Sequence, residues 1–236
     1  MAGTTDFWQT LHVSWPEGVP KAPPYSGSYP VRLPDGRILV LPLRPLPDGI
    51  HAVASLIANH AAFTVVAALS AAMADLARAD APDLIVGLPT LGLALAPQVA
   101  ERLGHARYVP LGYSRKFWYE EALSEPVASI TSPGGAKAIY LDPNLRPLLA
   151  GRRVTIVDDA ISSGTSVLSV LRLLKRLDVE VAAIVVAMKQ TTRWQAALAA
   201  LDPSLPARVT AVYGCPLFTR EGGGWVPIAD TMPRIP

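Results

Sequence analysis

Arg153-Val154-Thr155-Ile156-Val157-Asp158-Asp159-Ala160-Ile161-Ser162-Ser163-Gly164-Thr165-Ser166 is the stretch of this 236-residue chain that says most about its fold. The β-branched run predicts a strand over Arg153 to Val157, with the carboxylates of Asp158 and Asp159 at its C-terminal end. A short turn rich in Ser then opens a predicted helix over Gly164 to Leu177. Open α/β sheets bind ligands at such junctions, outside the carboxyl ends of their strands. Unpaired N–H groups at the start of the helix suit an anion, and the hydroxyls of Ser162, Ser163, Thr165 and Ser166 add donors. Gly164 permits close approach of the backbone. The two carboxylates would repel a bare phosphate. They suit a ligand that also carries neutral hydroxyls from which they accept hydrogen bonds, or a hard cation bound to that ligand. A sugar phosphate with vicinal hydroxyls meets both demands, whereas helix capping alone asks for one Asp, not two.

Outward from this stretch the pattern alternates. Leu84 to Leu88 and Ala106 to Leu111 predict strands on either side of a helix from about Leu93 to Leu103. Pro97 is tolerated in that helix only within its first turn, so its start falls later than Leu93. Glu180 to Ala187 predicts a strand, Arg193 to Leu201 a helix and Arg208 to Tyr213 a further strand. The expected fold class is therefore α/β, a mostly parallel twisted sheet with helices on both faces. Ile50 to Ala79, without internal Pro or Gly, predicts one long helix. Residues 1–50 hold nine of the 23 prolines and predict extended chain, with a hairpin of Tyr29 to Leu33 and Arg37 to Leu41 about Pro34-Asp35-Gly36. Residues 112–147 read as a long polar loop and a lid candidate. The organisation expected is an N-terminal segment over 1–50, a core over 51–213 and an extension over 214–236.

Composition excludes several classes. Half the residues are hydrophobic and 17% are charged, which argues against disorder. The net charge of +2 carries no strong field toward nucleic acid, and residues 1–50 balance four Lys and Arg against four Asp and Glu, a poor DNA-binding head. The most apolar stretch, Ala61 to Ala74, is too short for a bilayer, so no membrane partner is expected. A lone Cys215, no zinc-ligand spacing and no secretory leader point to a reducing, cytoplasmic setting.

The stretch around Asp158 closely resembles the signature of type I phosphoribosyltransferases: a strand, two acidic residues, three variable positions, Thr or Ser, Gly, one residue, and Thr or Ser. The resemblance implies that Asp158 and Asp159 hold the ribose hydroxyls of phosphoribosyl pyrophosphate and that Ala160, Ile161, Ser162, Ser163, Gly164, Thr165 and Ser166 wrap its 5′-phosphate. Thr165 stands where a second Gly is frequent, and Ser163 and Ser166 replace Thr; each keeps or adds a hydroxyl. Gly87-Leu88-Pro89-Thr90-Leu91-Gly92 resembles the family's pyrophosphate loop, which assigns pyrophosphate to Thr90, Leu91 and Gly92. Arg115 and Lys116 resemble the start of the mobile catalytic loop of adenine-type members, although Phe117-Trp118 replaces the usual Leu-Pro. Lys189, Phe218 and Trp225 are candidates for the nucleobase; a plain strand-end role for Lys189 and ordinary packing for the two aromatics are the competing readings. By resemblance the activity is phosphoribosyl transfer to a nucleobase, a purine in salvage, with magnesium carried on phosphoribosyl pyrophosphate and a homodimeric assembly; the alternatives are a non-catalytic regulator that binds phosphoribosyl pyrophosphate and a phosphoribosyltransferase that uses orotate or another acceptor. The base pocket is expected from a small variable hood, built from the N-terminal hairpin, the segment after Tyr213, or both.

Overall fold

The structure, a computed structural model, describes residues 5–127 and 137–235. In chain order its strands are β1 (Leu11–His12), β2 (Ser28–Arg32), β3 (Ile38–Pro45), β4 (His51–Ala54), β5 (Leu84–Gly87), β6 (Val109–Pro110), β7 (Ser124–Pro126), β8 (Ala138–Tyr140), β9 (Arg153–Ile161), β10 (Glu180–Gln190), β11 (Val209–Cys215), β12 (Leu217–Glu221) and β13 (Gly224–Pro227). The helices are α1 (Phe63–Arg78), α2 (Ala96–Arg102), α3 (Arg146–Leu149), α4 (Thr165–Arg176) and α5 (Arg193–Ala199).

β9 and β10 form the middle of a five-stranded sheet of order β11-β10-β9-β5-β6, in which every neighbouring pair is parallel. Their residues are apolar on both faces, as a parallel sheet covered on both sides requires. Val157, Val185 and Ala187 join a core with α1 and α2, whereas Ile156, Ile184 and Val186 join a second core with α4 and α5. Pro97 sits in the first turn of α2, which starts at Ala96, where its missing N–H costs nothing. No helix among the described residues is long and apolar enough to cross a membrane.

The predicted helix over Ile50 to Ala79 is only partly formed. Sixteen of its residues, Phe63–Arg78, form α1, but His51–Ala54 is a strand whose residues alternate half-buried and buried. β4 pairs with both β3 and β12, and those two ladders outweigh the helical preference of its alanines. Residues between β4 and α1 supply a single 3₁₀ turn at Ala58–His60.

β4 belongs to a second, antiparallel sheet of order β1-β3-β4-β12-β13, with β2 also on β3. Residues 11–54 and 217–227, from both ends of the chain, are thus woven into one layer. The Gln190 side chain, at the end of β10, donates to the Ala54 carbonyl at 2.6 Å and ties the two sheets together. Phe218 is fully buried in this layer, with its ring edge-on to Tyr29 at 4.9 Å and to Tyr25 at 6.3 Å. Trp225 is 6% exposed, exchanges backbone hydrogen bonds with Tyr25 and carries the Arg220 guanidinium 5.6 Å from its ring. Neither aromatic offers a free face to a nucleobase. The packing reading is the one that their burial supports.

Residues 112–127 and 137–147 are also more regular than a plain loop. Gly112 and Tyr140 exchange two backbone hydrogen bonds, β7 and β8 form a short antiparallel pair, and α3 follows. The pair is fastened to α4 by Ser169, which donates to the Pro126 carbonyl at 2.9 Å, and by Arg176, which reaches Glu125 at 2.6 Å and the Ser124 carbonyl. Three-residue strands with partners on a distant helix leave no periodic trace in sequence. Residues 128–136 of the expected lid lie outside the described residues.

Phe218→Ala removes a fully buried ring flanked by Tyr25 and Tyr29. It is expected to cost roughly 3–5 kcal/mol of unfolding free energy, read as a fall in the denaturant midpoint; an unmoved midpoint would contradict the packing.

Candidate active site

Strand β9 continues through both carboxylates to Ile161 rather than stopping at Val157, because β10 stays paired with it as far as Lys189 opposite Ile161. Asp158 and Asp159 are therefore held by ladder hydrogen bonds and are buried, 7% and 8% exposed. Next to them β5 ends at Gly87 opposite Val157, and Leu88 N–H donates to the Val157 carbonyl at 2.9 Å. The chain then turns through Pro89-Thr90, a cis peptide, into a 3₁₀ turn at Leu91–Ala94.

That turn presses on the Asp pair. A Cβ placed on Gly92 would lie 2.8 Å from Asp158 Cα, 2.8 Å from its Oδ1 and 2.9 Å from the Val157 carbonyl oxygen, so no side chain fits. In its absence the Gly92 N–H comes close enough to the Asp158 carboxylate to favour its ionised form. The same carboxylate accepts from Asp159 N–H at 2.9 Å. The two glycine-bearing stretches recognised in sequence are thus in direct contact.

Burial, with the adjacent Asp159 charge, pushes Asp158 well above the usual carboxylate range, against the hydrogen bond from the Asp159 N–H and the nearby Gly92 N–H. Burial likewise raises Asp159 to about 6, partly offset by hydrogen bonds from Asp158 and the Ala160 N–H. The folded pair holds protons that the unfolded chain would release, and hydroxyl donors from a ligand would favour the ionised form.

Beyond Ile161 the chain forms a cavity of about 160 Å³, lined by Asp158 and the run Ala160–Val167. Gly164 adopts φ +80°, a left-handed conformation, and a Cβ there would meet Leu198 of α5 at 2.8 Å. Glycine is required on both counts. The N-cap Gly164 brings no capping side chain and no acid stands in the first turn of α4; the Ser163 hydroxyl accepts from the Thr165 N–H at 3.4 Å, and the helix N-terminus lies along the cavity with its dipole unopposed by charge. The hydroxyls of Ser163 and Thr165 lie 2.8 Å apart there. Larger hollows, of about 460 Å³ beside Leu171 and Arg208 and about 740 Å³ along β3, are lined by other acids (Asp178, Glu180 and Asp202 in the first, Asp6 and Glu17 in the second) and by no residue of the two glycine-bearing turns.

Other candidates are placed differently. Arg115 pairs with Glu121 at 3.2 Å within its own segment, and both are exposed, so the pair is weak and readily exchanged. Lys116 is exposed and its carbonyl accepts from Tyr119 N–H. Lys189 is 5% exposed; its ammonium donates to the Arg234 carbonyl at 3.2 Å and lies 5.7 Å from the Trp194 ring. Burial lowers its pKa. It is therefore engaged by the C-terminal segment, not a plain exposed strand-end lysine. Trp194, which sequence reading treated only as part of a covering helix, is 1% exposed and packs with Leu198 behind Gly164. The unusual burial demanded of Gly164 was the one sequence-level clue to that support.

Residues 52–200, more than half of the chain, match the family model described as the phosphoribosyl transferase domain. The chain belongs to the phosphoribosyltransferase family. As a phosphoribosyltransferase it has a curated relative in the adenine phosphoribosyltransferase of Streptomyces avermitilis, 29% identical over 139 residues that make up 58% of this chain and 70% of that protein. Among solved structures, adenine phosphoribosyltransferase of Leishmania tarentolae superposes with a TM-score of 0.51 at 18% identity, covering 69% of this chain and 76% of that one. The Rhodothermus marinus enzyme gives 0.51 at 22%, covering 73% and 93%. The Saccharomyces cerevisiae enzyme, in complex with an imino-altritol bisphosphate and adenine, gives 0.50 at 18%, covering 79% and 94%. At these identities the superpositions establish the fold.

Gly92→Ala has to lift the 91–94 turn or move the Asp158 backbone, and is expected to cost roughly 1–3 kcal/mol in thermal unfolding; a neutral substitution would show that the contact is loose. Raised carboxylates make the native state bind more protons than the unfolded one, so their stability contribution falls as pH rises from the ordinary value of 3.8 through about 6. For Asp159 this amounts to about 3 kcal/mol at neutral pH. Asp159→Asn should therefore melt above the parent at pH 8 and lose that lead near pH 4, as measured by paired melting curves.

Proposed function

We propose that this chain transfers the 5-phosphoribosyl group of phosphoribosyl pyrophosphate to a purine base, with release of pyrophosphate. The observation that carries this reading is the contact of Gly92 with Asp158, which sets two anion-suited turns on either side of a buried carboxylate pair. Asp158 and Asp159 accept hydrogen bonds from the ribose hydroxyls, and the N–H and hydroxyl groups of Ala160–Ser166 hold the 5′-phosphate. Thr90, Leu91 and Gly92 receive the pyrophosphate. In the reaction the C–O bond at the anomeric carbon breaks, its electron pair leaving with pyrophosphate, and a nitrogen lone pair of the base forms the new C–N bond.

Positioning and charge stabilisation do most of this work. Arg115 and Lys116, on the segment after Gly112, are the cations that neutralise charge on the departing pyrophosphate once Arg115 leaves Glu121. Backbone groups and the Thr90 hydroxyl are the contacts available at that turn, which suits a magnesium ion bound through the substrate's phosphates and keeping its waters. When bound, the ion offsets the charge of the pyrophosphate oxygens. The antiparallel sheet of 11–54 and 217–227 serves as the hood over the base. Similarity to the adenine enzyme of Streptomyces avermitilis supports a purine.

Pyrophosphate release from phosphoribosyl pyrophosphate and magnesium, with adenine, guanine, hypoxanthine, xanthine, uracil and orotate in turn, tests the proposal. Release is expected with a purine. Release with orotate or uracil alone would overturn the substrate class, and binding by calorimetry without release from any base would leave a ligand-binding regulator. Asp158→Asn with Asp159→Asn should abolish the binding while preserving the fold.

A further inference from the structure

Ser169 belongs to neither recognised motif, yet it stands where the helix behind the phosphate turn meets the hairpin of β7 and β8. It lies on α4 one turn after Thr165, which lines the phosphate cavity, and is 1% exposed. Its Oγ is 2.9 Å from the Pro126 carbonyl oxygen of β7 and 3.2 Å from the Thr165 carbonyl oxygen of its own helix. A hydroxyl carries one proton and serves one acceptor well at a time, and the shorter contact is the one that leaves the helix. Alanine suits a buried helix position better than serine where there is nothing to bond. The bond across to β7 is what the serine adds.

Pro126 in turn belongs to the unit that carries the two cations. Tyr140 of β8 is paired with Gly112 through two backbone hydrogen bonds and lies opposite Ser124 of β7. Residues 113–123, with Arg115 and Lys116, are therefore an excursion whose two ends meet on Tyr140. Two further contacts close the same neck: Leu141 N–H donates to the Leu123 carbonyl at 2.9 Å, and the Lys137 ammonium lies 3.5 Å from the centre of the Tyr113 ring. The excursion is mounted on the hairpin, and the hairpin is mounted on α4, by Ser169 near the start of the helix and by Arg176 at its end. The Arg176 side chain is 45% exposed, so water screens its ion pair, whereas the Ser169 bond is shielded.

We propose that Ser169 is a positioning residue for Arg115 and Lys116, its hydroxyl fixing the hairpin on the helix whose first turn holds the 5′-phosphate. The inference rests on the phosphoribosyl pyrophosphate reading above and deepens it. The 5′-phosphate and the departing pyrophosphate are two ends of one substrate, and one helix sets the distance between the groups that serve them. Ser169 stands behind the cavity and not in its wall, so loss of its hydroxyl leaves the phosphate turn and the Asp pair as they are. What loosens is the mount of cations that act on charge developing as the C–O bond breaks, an interaction made in the transition state and not in the bound ground state.

Ser169→Ala tests it. Phosphoribosyl pyrophosphate affinity is read by calorimetry, the single-turnover rate of pyrophosphate release with magnesium and the purine that the parent uses best, and stability as the thermal midpoint. The rate is expected to fall roughly three- to tenfold, the worth of one hydrogen bond, with affinity for phosphoribosyl pyrophosphate unchanged. An unchanged rate would overturn the inference. A lower midpoint together with weaker phosphoribosyl pyrophosphate binding would overturn it too, since Ser169 would then only support the core. Ser70→Ala is the comparison: Ser70 is a fully buried serine of α1 whose Oγ has no hydrogen-bond partner among the described residues, and its loss should leave the rate unchanged. An equal fall there would remove the special role of Ser169. A parent chain that releases no pyrophosphate with any purine sinks the underlying reading and this inference with it, whereas normal parent turnover with an equally fast Ser169→Ala sinks this inference alone.

Discussion

The approach of Gly92 to the backbone of Asp158 joins the halves of the site. With less than 3 Å left for a Cβ, the turn after β5 touches the end of β9, and its N–H comes near the carboxylate instead. That contact depends on parallel pairing of β5 with β9 from Leu84 opposite Val154 to Gly87 opposite Val157, which brings both strands to the same edge of the sheet. Gly164 makes the corresponding approach on the other side, against Leu198 and Trp194 of α5. Two glycines thus set the distance between the turns, and the carboxylates lie between them.

Holding two ionisable groups there is unfavourable. Burial raises both, and the Asp159 charge makes Asp158 harder still to ionise, while Asp158 in turn hydrogen-bonds to Asp159 and eases its ionisation. The cost is offset by the cores on either face: Val154, Ile156, Val157, Ile184, Val185 and Val186 are all fully buried around the pair. Strand residues locked on both faces cannot relax to let a carboxylate reach water, so the site keeps its arrangement at the expense of stability, as functional sites commonly do.

Legibility followed the range of the interactions. The alternation of strands and helices from Leu84 onward, the Asp pair and the phosphate turn are visible because each is a local pattern with its own chemistry. His51–Ala54 was not, since Ala-rich sequence favours helix and only pairing with β3 and β12, the latter more than 160 residues away, makes it a strand. The hairpin of β7 and β8 depends on Ser169 and Arg176 of α4. Phe218 and Trp225 resembled stacking candidates for want of any view of Tyr25 and Tyr29, which flank Phe218, and of the backbone pairing with Tyr25 that holds Trp225. Lys189 read as a plain strand-end lysine for want of any view of the C-terminal segment, whose Arg234 carbonyl accepts from its ammonium.

By itself, then, the sequence determined the α/β class and the identity of the chemical groups, because β-branched runs, paired acids and a Ser- and Gly-rich turn act within a few residues of one another. Only the tertiary structure decided that Gly92 lies against Asp158 and that both ends of the chain form one sheet. Those relations join residues far apart in the chain through close packing and strand register, and no local preference encodes which distant partner will fill a given space.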